Sequence, residues 1–577
     1  MTDTMPATDR QTSAAPAFDR WLDAFFTSHF RRNPVNATFT GVHDYDDLLP
    51  DTSPAAIAAN ATEMERLRDE LAALPDEHLS EAQRHDRALA DGALRLALWE
   101  GQSGHFQRGN PSYSTGEAVF SVMALFHRDA EPVGDRARAA EARMRAIPAF
   151  LAQGRANVTS APAAWTERAI REANAGIAYF GDGFALLIDE RGIRSDGLVE
   201  AAAIATDAFR EHLAWLEGTL LHQTNDHYSA GTKAFERYLR IGHQLAPEQN
   251  AAWVDQYARA AMAKAQQTLE DRARELDPAA DWREQLAHLA DHHPTVESYY
   301  GAYTETWQAA KAAALDADLV TWPDYPIDYG PFPESDRAAA GGLYYLFYRC
   351  PAPLGRPETH YYRVTPIEPD MPAEERESKL RATNDAQIKL NHVIHHGGIG
   401  HHIQNWHAFR AESRVGRVSG VDSAARLSLF CAGSLVEGWA VYATETMAEQ
   451  TDFLTPLENL SEAQGRVRMA ARAIADVGIH TGAMTMEDAA AFYETEAGMS
   501  ATAAMGEAVK NSMFPGAAMM YLIGTDAIHD LRRTIAEREG DAFSLRRFHD
   551  RFLSYGAIPV ALIATSMMAN DADPISI

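Results

Sequence analysis

Cysteine is scarce in this chain: Cys350 and Cys431 are the two among 577 residues, and they lie far apart. That excludes a disulfide-stapled scaffold and suits a reducing compartment. Long apolar runs are missing as well. Nothing approaches the roughly 20 consecutive apolar residues of a membrane span. Residues 1–17 are polar and rich in Pro, Ala and Thr, without the basic and apolar regions of a secretory signal. The expectation is a cytoplasmic protein with no membrane partner and a disordered segment over 1–17. Positive charge is in deficit, with 52 Lys and Arg against 81 Asp and Glu, a formal net charge of −29. A nucleic-acid binder needs a basic footprint, so that class is excluded. The acidic residues are spread along the chain, which reads as solubility. There is no Gly-x-Ser-x-Gly elbow of a serine hydrolase, and Gly181-Asp182-Gly183 opens no phosphate loop.

The remaining composition is that of a globular protein, 46% hydrophobic and 23% charged. Phe18, Trp21, Leu22, Phe25, Phe26 and Phe30 recur at helical spacing and form one apolar stripe. A turn-rich stretch over 33–50 follows. Ala/Leu/Glu/Arg segments of high helix propensity then run to about 318, including 57–74, 81–99 and 247–276, the last with Pro247 at its first position. Residues 320–370 differ. Turns are expected at 322–326 and 329–333, and short strands at 343–348 and 360–364, where aromatic and β-branched residues gather. Helices are expected again over 379–396 and 422–449. Thr485 and Asp488 make a capping box that starts another. The fold class read from this pattern is mostly α with a small β element near 320–370. It is a single unit over 18–577, with an N-terminal helical half (18–318) and a second half (319–577) that holds the chemistry.

Six of the 23 histidines fall within residues 392–407: His392, His395, His396, His401, His402 and His407. Imidazole is the commonest metal-binding side chain. The zinc-hydrolase pattern His-Glu-x-x-His sets two ligands one turn apart on a helix. Here the spacing is longer. His395 to His401 is out of phase for a straight helix, and His395 to His402 is nearly in phase at two turns. Gly397, Gly398 and Gly400 permit a bulge that brings His401 into line, so both registers stand. A catalytic zinc takes three protein ligands. Glu437 is the best third candidate, because it sits in an apolar run (427–442) where an unpaired carboxylate is costly. Glu445 lies on the same helix face, where it would orient a ligand histidine. His392 and His407 read as helix-surface residues, Cys431 as a buried thiol, and Gly341-Gly342 as a strand-entry turn.

Residues 395–404 (His-His-Gly-Gly-Ile-Gly-His-His-Ile-Gln) and 437–442 (Glu-Gly-Trp-Ala-Val-Tyr) carry a resemblance. They are similar to the hallmarks of bacterial domain-of-unknown-function family 885, His-Glu-x-x-Pro-Gly-His-His-x-Gln and Glu-Gly-Trp-Ala-x-Tyr, and that family resembles gluzincin-type metallopeptidases. Arg472 to His480, Pro515 to Gly524, Phe548-His549-Asp550 with 556–559, and Asn33 to Thr38 with Gly41 also fit, so the likeness spans essentially the whole chain. It implies a metallopeptidase-like helical fold. His395, His401 and Glu437 would be metal ligands, His402 a ligand or a neighbour, and Tyr521 and His480 oxyanion or substrate contacts.

The chain departs from the pattern where His396 replaces the glutamate that serves as general base and Ile399 replaces the proline. Three readings follow. In the first, the protein is a metal-dependent hydrolase, peptidase-like, cleaving a peptide or amide bond of a small molecule or short peptide, with His396 or a neighbour as base. In the second, His396 is a further ligand of a nitrogen-rich site suited to iron, manganese or copper as well as zinc, supporting oxygenase or lyase chemistry. In the third, the site binds metal and catalyses little. The expected cofactor is one divalent ion, with zinc foremost.

Overall fold

The helix that carries Glu437, Gly433–Gln450, crosses helix Met520–Glu539 at the glycine pair Gly438 and Gly524. A computed structural model describes residues 7–128, 130–343, 350–355, 357–422 and 432–570. Helices dominate, and the β structure among the described residues is two short strands. The largest buried apolar cluster runs from Phe18 to Met567 and so draws on both halves of the chain. A second cluster forms where helix Ala251–Leu276 packs on helix Pro456–Thr481. No described helix is long and apolar enough to cross a membrane.

Several local expectations are met with shifted bounds. The aromatic stripe lies on helix Ala7–Arg32, with Phe18, Trp21, Leu22, Phe25 and Phe30 buried. Helices Pro54–Ala73 and Glu81–Gln102 stand where two were expected, and the Thr485/Asp488 capping box opens helix Met486–Ala497. The expected start at Pro247 is corrected. Helix Ala251–Leu276 begins after Asn250, whose side chain accepts from the Trp253 N–H and so caps it. Within the 33–50 stretch, Pro34–Thr40 is a buried helix rather than a turn. Fully buried Arg143 donates to the carbonyls of Leu48, Ser121, Pro34 and Tyr45 and to Thr38 Oγ1, tying that helix and the following loop to the core.

The sheet is placed differently from the reading. Strand Ile327–Pro331 pairs in parallel with His360–Val364, with Tyr329 opposite Tyr362. The first strand runs through 329–331, part of the stretch 329–333 where a turn was expected. Of the expected strand 343–348, residues 344–348 lie outside the described residues. The uninterrupted helix expected over 379–396 is also corrected. Helix Ala373–Ala382 stops, Asn384 caps a fresh start by accepting from the Gln387 N–H, and Ile388–Gly397 continues as a wide π-helix. The expected helix 422–449 is seen as Gly433–Gln450, and Cys431 lies outside the described residues.

Candidate metal centre

The histidine-rich segment is built by breaking a helix. Gly398 (φ −91°, ψ −129°) and Gly400 (φ −72°, ψ −125°) leave helical geometry, and helix His401–Ala408 begins directly after. A Cβ on Gly400 would stand 2.0 Å from the His395 carbonyl oxygen, so the bend closes at that position only with glycine. Two tryptophans hold the bend: Trp307 Nε1 donates to the Gly397 carbonyl at 2.6 Å, and Trp439 Nε1 to the Ile399 carbonyl at 2.8 Å. His395, at the end of one helix, is thereby brought to His401, at the start of the next. Their rings are 4.9 Å apart.

Glu437 comes from helix Gly433–Gln450, which crosses helix Met520–Glu539 at Gly438 and Gly524. A Cβ on Gly438 would sit 2.6 Å from the Gly524 carbonyl carbon. The glycines let the two backbones approach, and the approach sets Glu437 and Tyr521 in one cavity. Glu437 Oε2 is 3.4 Å from His395 Nε2 and 3.6 Å from His401 Nε2, and it is buried without a hydrogen-bond partner. Burial would raise the Glu437 carboxyl, but the two imidazoles beside it hold it well below the usual range. Ligand atoms around a tetrahedral ion with bonds of about 2.1 Å are spaced by about 3.4 Å. The two separations from Glu437 match that edge length, and ring nitrogens of His395 and His401 lie within 4.8 Å of each other, a donor set suited to a divalent ion.

His396 joins the group. One ring nitrogen each of His395, His396 and His401 lies within 4.8 Å of the others. Burial, and then the neighbouring imidazoles, push His396 well below its ordinary value, which keeps it neutral. Its Nδ1 is 3.4 Å from the Tyr362 hydroxyl. His392, expected at a helix surface, is drawn into the same wall: Tyr362 Oη is 2.6 Å from His392 Nδ1, and burial depresses this imidazole to about 4. The strand pair thus walls the histidine segment through Tyr329 and Tyr362.

Other candidates are placed elsewhere. His402 stacks on Tyr325 with ring centroids 4.3 Å apart, and its Nε2 donates to the Tyr325 carbonyl at 2.6 Å, so His401 and not His402 faces Glu437. His480 is fully buried, accepting from the Ala230 N–H at Nδ1 and donating from Nε2 to the Asn511 carbonyl. With both nitrogens committed to backbone, it does not reach the cavity. Glu445 does not orient a ligand histidine; it binds His529 (2.6 Å) and Arg466 (3.3 Å). His407 is half-buried, and its ring stacks edge-on with Trp406.

The cavity holds about 460 Å³, and its lining includes His395, His396, His401, Glu437, Tyr521 and Cys350. Burial raises the Tyr521 hydroxyl above its usual value, which keeps it a proton donor. The sequence reading missed the cations that share the cavity, Arg466, Arg468 and Lys510, and gave Arg472 no role there. Their signal was present: Arg468, Arg472, Asp476 and His480 recur every fourth residue in the otherwise apolar stretch 467–480, a spacing that puts them on one face. Asp476 accepts from the N–H groups of Gly516, Ala518 and Met519, fixing the turn that leads to Tyr521.

A family model described as a bacterial protein of unknown function (DUF885) matches residues 34–567. The chain belongs to that family. Two solved structures are similar over nearly their whole length. One is a putative lipoprotein of unknown function from Shewanella oneidensis, with 24% identity, a TM-score of 0.76, and 96% of this chain and 99% of that one covered. The other is a putative lipoprotein from Colwellia psychrerythraea, with 16% identity, a TM-score of 0.78, and 97% and 100% covered. At these identities the likeness establishes the fold. No curated protein matches the chain. The cytoplasmic expectation is overturned here, since both similar structures are described as lipoproteins.

Proposed function

We propose that this protein is a metal-dependent hydrolase that cleaves an amide or peptide bond in a small substrate. The observation that carries this reading is the placement of Glu437 at tetrahedral-edge spacing from both His395 and His401 on the wall of the 460 Å³ cavity. A divalent ion held by these three would supply Lewis acidity and lower the pKa of water. The chain's own residues account for the remaining tasks. His396, whose Nδ1 faces Tyr362, presents Nε2 toward the site as the candidate base. Tyr521 donates its hydroxyl proton in a hydrogen bond to the oxygen on which negative charge develops. A cavity of this size admits a dipeptide-sized molecule and excludes folded protein.

A second reading is favoured by one specific observation, the three-histidine cluster of His395, His396 and His401. With His396 as a ligand, the site becomes nitrogen-rich and suits a redox-active ion and oxygenase or lyase chemistry. Elemental analysis of the purified protein alongside His396→Glu separates the two. Zinc at about one per chain in both proteins, with amide hydrolysis abolished by Glu437→Gln, supports the hydrolase. Iron, copper or manganese that is lost in His396→Glu supports the second reading, and hydrolysis that survives Glu437→Gln removes Glu437 from the required ligands.

A further inference from the structure

Helix Pro456–Thr481 lines the cavity with Arg468 and Arg472, one turn apart, and helix Ala501–Met513 adds Lys510. Their charges are unevenly matched. Arg472 forms a two-pronged pair with Glu507 (Nε to Oε1 2.9 Å, Nη2 to Oε2 3.0 Å), and its guanidinium lies 4.7 Å from the Tyr521 ring centre. Glu507 is the carboxylate that faces Arg472, Lys510 and Arg468 together. Arg466, on the same helix, is spoken for by Glu445 and Asp526. Arg468 is different: among the described residues it has no hydrogen-bond or ion-pair partner, and its Nε is shut off from solvent. A guanidinium held this way is costly at its Nε, whose N–H loses water and gains no partner, while the two Nη groups stay open to the cavity. An anion entering the cavity would repay that cost with charge-assisted bonds in fork geometry.

The position of this charge also matters. Tyr521 lies within electrostatic reach of Glu437 on one side and of Arg472 and Lys510 on the other. The cationic wall and the candidate metal ligands are therefore two parts of one cavity, joined through Tyr521. A substrate with its scissile amide at the histidines can place a negatively charged end at Arg468. Carboxylate suits this arrangement better than phosphate, because a planar two-oxygen group matches a single guanidinium and the surrounding wall is only modestly positive, with Glu507 and Glu462 nearby.

We propose that Arg468, flanked by Arg472 and Lys510, is the recognition site for a free carboxylate on the substrate. The preferred substrates are then N-acylated amino acids or short peptides cleaved next to a free C-terminus. This inference rests on the hydrolase reading for the bond cleaved, but the carboxylate site itself is tested by the acid-over-amide preference in binding, which is read separately from turnover.

The test is calorimetric titration of the purified full chain with N-benzoylglycine, its neutral amide N-benzoylglycinamide, and inorganic phosphate. Parallel titrations use Arg468→Met and Arg468→Lys, with metal content measured in each protein. The expected result is that the acid binds at least about tenfold more tightly than the amide, with phosphate weaker than the acid. In Arg468→Met the preference should fall to within about twofold at unchanged metal content, and Arg468→Lys should keep part of it, since the charge remains and the fork is lost. Arg468→Met should melt at the native temperature or above it, because a guanidinium whose Nε is buried without a partner has been removed. A purely structural arginine would lower it. Equal affinity for acid and amide, tighter binding of phosphate than of the acid, or an acid preference that survives Arg468→Met overturns the proposal. If Arg468→Met does not fold, an unchanged preference in Arg468→Lys does so. A carboxylate preference with no hydrolysis of any amide would leave this site standing and remove the hydrolase reading instead.

Discussion

Trp439 Nε1 donates to the Ile399 carbonyl at 2.8 Å, linking the helix that carries Glu437 to the bend between His395 and His401. The bond joins the two segments that must converge, and Ile399 occupies the position where the family pattern has proline. Trp439→Phe keeps the aromatic packing but leaves a buried carbonyl short of its donor. The expected cost is about 1–3 kcal/mol in denaturant unfolding. Metal affinity should fall about 10- to 100-fold, because the bend is no longer held. Unchanged metal affinity in a competition assay would show that the bend holds itself.

Gly438→Ala tests the crossing that sets Glu437 against Tyr521. The added methyl would meet backbone of Gly524, which cannot swing aside as a side-chain end can. A loss of about 1–3 kcal/mol is expected, together with weakened metal binding, since helices Gly433–Gln450 and Met520–Glu539 must separate. A variant with native melting temperature and native metal content would mean that the helices slide without cost.

Glu437→Gln preserves shape and removes charge. Metal affinity should drop by more than about tenfold, because a neutral amide oxygen is a poor partner for a divalent ion. The comparison is made by dialysis against a competing chelator. Retention of native affinity would place the ion, if one binds, elsewhere in the cluster.

Stability should fall with acidity. Burial pushes His243 and His480 down to about 4 and His105, His212 and His549 to about 3. These folded values lie below the ordinary 6.5. Above that pH both states are neutral and stability is complete. Between 6.5 and about 4 the unfolded chain takes up protons that the folded chain refuses, so each pH unit costs up to about 1.4 kcal/mol per such histidine. Scanning calorimetry from pH 7.5 to 4.5 should show a steep fall in melting temperature, with proton uptake on unfolding. A flat profile between pH 7 and 5 would contradict the buried, neutral state of these rings.

Much of the local architecture was legible in the chain itself. The helical period of Phe18 to Phe30, the capping box at Thr485, and the aromatic alternation at 360–364 each reflect forces acting over a few residues, and each appears where the pattern put it. The concentration of histidines and the lone carboxylate at Glu437 marked the candidate site for the same reason: buried polar groups in apolar surroundings need a partner, and the surroundings are visible in the sequence. The charged face 468–472–476–480 was equally visible as a spacing.

Position in space was another matter. His401 and His402 are adjacent and chemically identical, yet one faces Glu437 and the other stacks on Tyr325, a choice made by the backbone bend at Gly398 and Gly400. His480 and Arg472 lie on one helix, but His480 is consumed by two backbone groups from distant segments. Glu445 meets His529 only because two helices cross at Gly438 and Gly524. Sequence alone determined which residue types were present and how they repeat along each element. Which side chains share the cavity, and which are used up in holding it open, was decided by long-range packing and backbone bonds that no local pattern records.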